Sequence, residues 1–196
     1  MKRIFYAFAF CLMALSFYAC NNTKNDGSNI TDGPQPDSVD QNRTNPTTLS
    51  STPLTVEDSA FVLEAAIGGL KEVESGKIAQ QNAASDRVKN FGAMMVTDHT
   101  KANEELKSYA SSKGMTLPAT LPADVQKELE GMRNMKGRSF DQHYINMMLT
   151  DHQKTIDKFQ NQANSGGDAQ LKTWASANLP VLKKHLDSVQ AIKNGL

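Results

Sequence analysis

Residues 85–112 read SDRVKNFGAMMVTDHTKANEELKSYASS. Val88, Phe91, Met95, Ala102, Leu106 and Ala110 recur in this stretch at helical steps, so they share one face of a long amphipathic helix. Gly114 stops it. Neither strand alternation nor an Asn-Gly hairpin signal occurs after residue 56, and three further long segments carry the same period. The first spans about Val56 to Asn82, preceded by Pro53 and capped by Thr55, with Asp58 three positions on. Another runs from Ser139 to about Asn164, with Tyr144, Ile145, Met148, Leu149, Ile156 and Phe159 along its stripe and Ser165-Gly166-Gly167 behind it. The last spans 169–194 with Asp168 as its cap, and Pro180 within it predicts a kink or a break. A short helix, 123–135, lies in the longest connection, after Leu117-Pro118 and Leu121-Pro122 and before Gly137. The fold class is therefore all-α, a four-helix bundle with a short extra helix in the crossover.

Two of the helices share a motif. Met94-Met95-Val96-Thr97-Asp98-His99-Thr100-Lys101 and Met147-Met148-Leu149-Thr150-Asp151-His152-Gln153-Lys154 agree at six of eight positions, and Phe91 and Tyr144 align at the same offset. Duplication of a helix and convergence on one packing solution both account for it, and a single recurrence is not a solenoid.

The histidines carry the chemical information. His99 follows Met95 and Val96 by four and three residues and precedes Leu106 by seven, so it lies on the buried stripe. His152 stands in the same relation to Met148 and Leu149, and His185 to Val181 and Leu182. Three helices thus each send one imidazole toward a shared core. His143 is rotated to the opposite side of its helix from His152 and falls outside the set. Bundle cores are where facing helices assemble metal sites, and neutral imidazole is the commonest protein ligand. The first helix would complete the ring through Glu72 or Glu74; periodicity does not choose, and small residues near Glu72 favour it slightly. Three His and a carboxylate suit a divalent metal such as Zn, Mn, Fe or Cu. Met95 and Met148, one turn from their histidines, fit either a soft-ligand copper variant or ordinary core filling. The competing reading is a structural polar layer, in which buried imidazoles need partners but no ligand.

The N-terminus reads as an address. Met1-Lys2-Arg3 precedes an apolar run from Ile4 to Ala19. Sixteen residues at about 1.5 Å each span roughly 24 Å, short of a ~30 Å hydrocarbon core, as in a secretory signal. Cys20 follows Ala19 directly, which resembles a lipoprotein signal whose cysteine is lipid-modified; Phe17 and Tyr18 depart from that motif. An uncleaved anchor or a plain signal with an incidental cysteine is the alternative. Residues 20–56 are rich in Asn, Thr, Asp, Ser, Pro and Gly and form a disordered tether, reaching about 30–36 Å. The expected partner is a membrane, through a lipid anchor on Cys20.

Composition removes other classes. The chain's 21 basic and 21 acidic residues cancel, and so do the Lys, Arg and Asp residues of 1–56, leaving the helical part neutral. Nucleic acid is excluded as a partner for want of a basic surplus. Both cysteines, Cys11 and Cys20, lie in the first twenty residues, so the domain 57–196 has neither a disulfide nor a thiol nucleophile. Neither a Gly-rich phosphate loop nor a Ser–His constellation is recognisable by spacing.

These residues resemble a bacterial family, the domain of unknown function 4142, over about 58–194. The marks are Glu72-Val73-Glu74 with Gly76 and Ala79, Val88-Lys89-Asn90-Phe91 leading to Met95-Val96 and Asp98-His99, Gly137 with Phe140-Asp141 and Tyr144, His152, and Leu179-Pro180 with His185-Leu186. The resemblance implies exported envelope proteins with a ferritin-like four-helix fold and no established activity. It does not bring ferritin chemistry: a di-iron site needs Glu-x-x-His on two helices, and Val96, Leu149 and Leu182 stand three before the core histidines. The expected protein is an envelope lipoprotein, outer-membrane-anchored and facing the periplasm or the cell surface. Its helical domain binds a metal ion or small ligand through His99, His152, His185 and Glu72, or else serves as a non-catalytic interaction or stress-protection module.

Overall fold

The computed structural model describes residues 53–196; the signal, Cys20 and nearly all of the tether lie outside the described residues. Five helices follow in order: α1 (Val56–Asn82), α2 (Asp86–Ser112), α3 (Ala123–Arg133), α4 (Gly137–Ser165) and α5 (Ala169–Lys193). Among the described residues there is no strand, and no helix is long and apolar enough to cross a membrane.

The boundaries follow from local chemistry. Thr55 Oγ accepts from the Asp58 N–H at 3.0 Å, and Glu57 and Asp58 place negative charge at the positive end of the α1 dipole. Asp168 Oδ1 caps α5 by accepting from Leu171 N–H at 2.9 Å. Gly114 takes φ +72°, a left-handed conformation that ends α2 at little cost. α3 stops at Arg133, two residues before its expected end. There the Asn82 amide donates to the carbonyls of Met132, Arg133 and Met135, satisfying acceptors that a further helical turn would have used. α4 begins two residues earlier than expected, at Gly137. Pro180 does not break α5, which runs through it. Its ring and the Ser176 carbonyl it leaves without an N–H partner lie on exposed residues, where water serves as acceptor's partner.

α1 pairs with α2 and α4 with α5, and the two hairpins face each other. The start of α1 meets the end of α4, where Phe61 and Phe159 pack edge to face at 5.0 Å, and the start of α5, where Phe61 meets Trp174. α1 and α5 therefore run one way, α2 and α4 the other. Going from α2 to α4 requires a return along the whole bundle, and residues 113–136 with α3 make it. One long crossover between two hairpins is the ferritin-like arrangement.

Two buried aspartates lock the hairpins together. Asp58, in the first turn of α1, accepts from Gly167 N–H (3.1 Å), Asp168 N–H (3.0 Å) and the Gln162 amide (2.6 Å), clasping the α4–α5 turn. Asp141, near the start of α4, accepts from Ala84 N–H (3.0 Å) and Ser85 N–H (2.9 Å), clasping the α1–α2 turn. Between these ends α1 and α2 approach closely through facing glycines. A Cβ on Gly76 would lie 2.6 Å from Gly92 O, and one on Gly92 2.7 Å from Gly76 O.

Apolar side chains fill the bundle in two separate clusters. One gathers Ile78, Phe91, Met95, Tyr144, Met148 and Val189; the other gathers Val62, Ala66, Leu106, Ile156, Leu171 and Leu182. On every long helix the gap between the clusters falls at the same level: around Glu72, His99, His152 and His185. Replacing Asp141 by Ala should orphan two partly buried N–H groups at the α1–α2 turn and lower unfolding stability by about 1–3 kcal/mol in urea titration, whereas Asp187→Ala on the exposed face of α5 should cost less than about 0.5 kcal/mol.

Candidate metal centre

The layer between the two clusters is polar and buried. His152 and His185 are fully buried, and Glu72 and His99 are exposed by only 5% and 7%. Each comes from a different helix. Glu72 faces inward one turn before Gly76, where α1 approaches α2 closely. Glu74 instead points outward to Lys77, at 2.7 Å. His143 is exposed. Met95 and Met148 are fully buried within the apolar cluster, and Met148 contributes its backbone carbonyl to the layer.

Each imidazole is held by a partner. His152 Nδ1 lies 2.9 Å from Met148 O, His185 Nε2 lies 2.9 Å from Asp98 Oδ2, and His99 Nδ1 lies 3.0 Å from Glu72 Oε2. A carbonyl or carboxylate oxygen accepts, so in each ring that nitrogen carries the hydrogen. His152 Nε2 and His185 Nδ1 are then both bare lone pairs, and they face each other at 3.3 Å. Glu72 Oε1 is 3.7 Å from His152 Nε2. One nitrogen of each ring lies within 4.8 Å of the other two. His99 Nε2 is buried with no hydrogen-bond partner.

The electrostatics agree with those tautomers. Burial alone would raise the Glu72 carboxyl, but the charge of His99 and its hydrogen bond, with help from His152 and His185, hold it at about 2. Burial likewise opposes the proton on His99, and the Glu72 carboxylate outweighs it, raising His99 above its ordinary 6.5. His152 is pushed down by burial and by the charge on His99, with Glu72 pulling the other way. Burial pushes His185 down to about 4, against the hydrogen bond to Asp98 and aided by the charges of its two neighbours. Near neutral pH the metal-free layer therefore sets a charged Glu72, which favours a proton on His99, beside a neutral His185 and a His152 whose protonation burial opposes.

Periodicity puts the three histidines on core faces and leaves Glu72 and Glu74 open with a slight preference for Glu72; the structure brings Glu72 together with the histidines. The aspartates before His152 and His99 part ways: Asp151 bonds to Lys71 on α1 at 3.0 Å, whereas Asp98 reaches across to His185 on α5. Their motifs are alike, so only the neighbouring helix distinguishes them. The clasping roles of Asp58 and Asp141 were also missed; an acid in the first turns of a helix reads as dipole compensation.

The family model for a domain of unknown function, DUF4142, matches residues 43–192. The chain belongs to this family. The match opens before α1, inside the stretch assigned to the tether. No curated protein matches the chain. Among solved structures, a DUF305 fragment from Deinococcus radiodurans is similar with a TM-score of 0.64 at 8% identity, covering 74% of this chain and 100% of that one. A DUF305 protein from Streptomyces coelicolor, described only provisionally as secreted, gives 0.60 at 10% identity, covering 69% and 89%. At such identities the likeness concerns the bundle alone.

A pH dependence follows for chelator-treated protein. His185 titrates near 6.5 when unfolded and at about 4 when folded, so between those values the unfolded chain binds more protons and stability falls as pH drops. Glu72 adds stability above about 4.5 that disappears toward pH 2. Urea midpoints for His185→Asn should lose much of the decline between pH 6.5 and 4; an unaltered decline would show that His185 is not its source.

Proposed function

We propose that the polar layer is a mononuclear site for a divalent transition metal, bound by His152 Nε2, His185 Nδ1, a nitrogen of His99 and the Glu72 carboxylate. The observation that carries this reading is the pair of lone pairs facing each other at 3.3 Å. Two neutral acceptors cannot bond to each other, and burying them face to face is unfavourable unless a cation lies between them. The separation is close to the edge of a tetrahedron with bonds of ~2.0–2.1 Å, the length of zinc–imidazole bonds. Partners on the far ring nitrogens support it further, since ligating histidines characteristically donate their other N–H to a carbonyl or carboxylate. Glu72 binds directly through Oε1 or acts by orienting His99. Zn, Mn, Fe and Cu all accept such a donor set.

The protein that carries this site is exported and tethered to the cell envelope. Supporting this are the basic and short apolar start of the chain, Ala19-Cys20, and the neighbour provisionally described as secreted. Outside the cytosol, a buried site of this kind would hold a scavenged or buffered ion. Every imidazole has one partner already, which favours as second reading a purely structural layer in an interaction module.

Metal content after loading and desalting decides between the two. A single ion per chain is expected, lost in His152→Gln and His185→Gln, with a rise of several degrees in Tm, as about 2.7 kcal/mol follows from ligand at a hundredfold over Kd. Uptake that survives a triple His99, His152 and His185 substitution, or no uptake of any of the four metals, would overturn the metal reading. The anchor is tested separately: Cys20→Ala should move the protein from the membrane to the soluble envelope fraction, and unchanged membrane association would exclude the lipid.

A further inference from the structure

A cavity of about 240 Å³ opens between α1 and α4 and reaches inward to Glu72 and His99. Its inner wall is apolar, made by Phe61, Phe159, Trp174 and Leu182. A ~150 Å³ apolar cavity is enough for benzene, so this one holds a single ring with a substituent. Gly68 lines it from the middle of α1, where glycine costs the helix about 1 kcal/mol relative to alanine. Its neighbour Gly69 has a packing reason, since a Cβ there would collide with the Asn103 side chain; a Cβ on Gly68 would meet nothing within 4 Å. What Gly68 preserves is the open space itself.

The charges around the cavity indicate what enters it. Its carboxylates are all engaged: Glu64 by Lys158, Asp151 by Lys71 and Glu72 by His99. The cation without a counterpart among the described residues is Lys154 at the exposed mouth, and at the inner end the buried His99 Nε2 has no hydrogen-bond partner. When a metal occupies the layer, the unmet demand at that end is the ion's own positive charge. With the ion in place the inner end lacks an anion, and at the mouth Lys154 lacks one in either state.

We infer that the cavity binds a small carboxylate with an apolar body, of about the size of benzoate, its ring against Phe61, Phe159 and Trp174 and its carboxylate at the Glu72–His99 edge of the metal layer. The facing of the carboxylate toward the metal rests on the metal reading above; occupancy of the cavity does not. Trp174 is the chain's single tryptophan, so its emission reports on the cavity directly.

The experiment titrates benzoate, with uncharged benzyl alcohol as its control, into the full chain with and without bound metal, following Trp174 fluorescence. Benzoate should produce a saturable change at an affinity at least about tenfold above benzyl alcohol, roughly 1.4 kcal/mol. Gly68→Leu should fill the cavity and weaken benzoate at least about tenfold while leaving metal content unchanged. Lys154→Gln, an exposed substitution that leaves packing intact, should weaken it several-fold and keeps the test decisive should Gly68→Leu misfold. Absence of a saturable change, equal affinity for benzyl alcohol, or full affinity in a folded Gly68→Leu would overturn the inference. A chain that takes up metal yet ignores benzoate overturns the cavity alone; one that binds benzoate but no metal overturns the metal reading alone.

Discussion

Four polar side chains buried at one level of an apolar bundle are the constraint around which the rest is arranged. A lone carboxylate moved out of water at this depth would cost several kcal/mol, and neutral imidazoles with unmet lone pairs cost less but not nothing. The layer is tolerable only because each member finds a partner: Glu72 on α1 with His99 on α2, His185 on α5 with Asp98 on α2, and His152 on α4 with the Met148 carbonyl one turn back. Such partners are short-range, so the helices must be held in axial register to within a fraction of a turn. The two aspartate clasps do this from opposite ends. Asp58 fixes the α4–α5 turn to the start of α1, and Asp141 fixes the α1–α2 turn to the start of α4. Either hairpin sliding along the other would break both clasps and separate Glu72 from His152.

The motif shared by α2 and α4 acquires a meaning in three dimensions. These helices run parallel and occupy opposite corners of the bundle, so their Asp-His pairs stand at one level on either side of its axis. Each histidine points to the axis and each preceding aspartate to a neighbour. Next to α2 that neighbour is His185, and next to α4 it is Lys71, itself also bonded to Glu128 on α3. The same two residues therefore serve different ends: Asp98 fixes a tautomer inside the layer, and Asp151 helps tie the crossover to the bundle. Burial of Lys71 works against its charge, and the two carboxylates restore it, leaving its pKa raised.

The legible part of this molecule was its periodicity. The spacing of Val88, Phe91, Met95 and Leu106 defines α2 to within a residue, and the same rule puts His99, His152 and His185 on buried faces before any coordinates are seen. Thr55 and Asp168 were readable because N-caps act within three residues. What was hidden depends on partners distant in sequence. Whether Glu72 or Glu74 turns inward is set by the Gly76–Gly92 approach, a contact between helices. The early end of α3 is set by Asn82, about fifty residues away. Pro180 was expected to disturb α5 because a proline removes one hydrogen bond; on an exposed face water takes up the freed carbonyl, and packing of Leu182, His185 and Val189 carries the helix through. The cavity was invisible for a similar reason: a glycine that preserves space looks in sequence like a glycine that merely weakens a helix.

The donor set also limits what chemistry the bundle can host. Ferritin-like di-iron centres place two metals side by side by spending four carboxylates, some of them bridging, and two histidines. Here the layer has one carboxylate and three imidazoles, and Val96, Leu149 and Leu182 occupy the positions from which further glutamates would reach inward. One carboxylate cannot both bridge two divalent ions and neutralise them, whereas it balances half the charge of a single ion with Asp98 one bond further out. The same architecture, with carboxylates exchanged for imidazoles, therefore favours one ion over two and nitrogen-preferring metals over hard oxygen-preferring ones. Of Zn, Mn, Fe and Cu, zinc and copper therefore suit this donor set better than manganese.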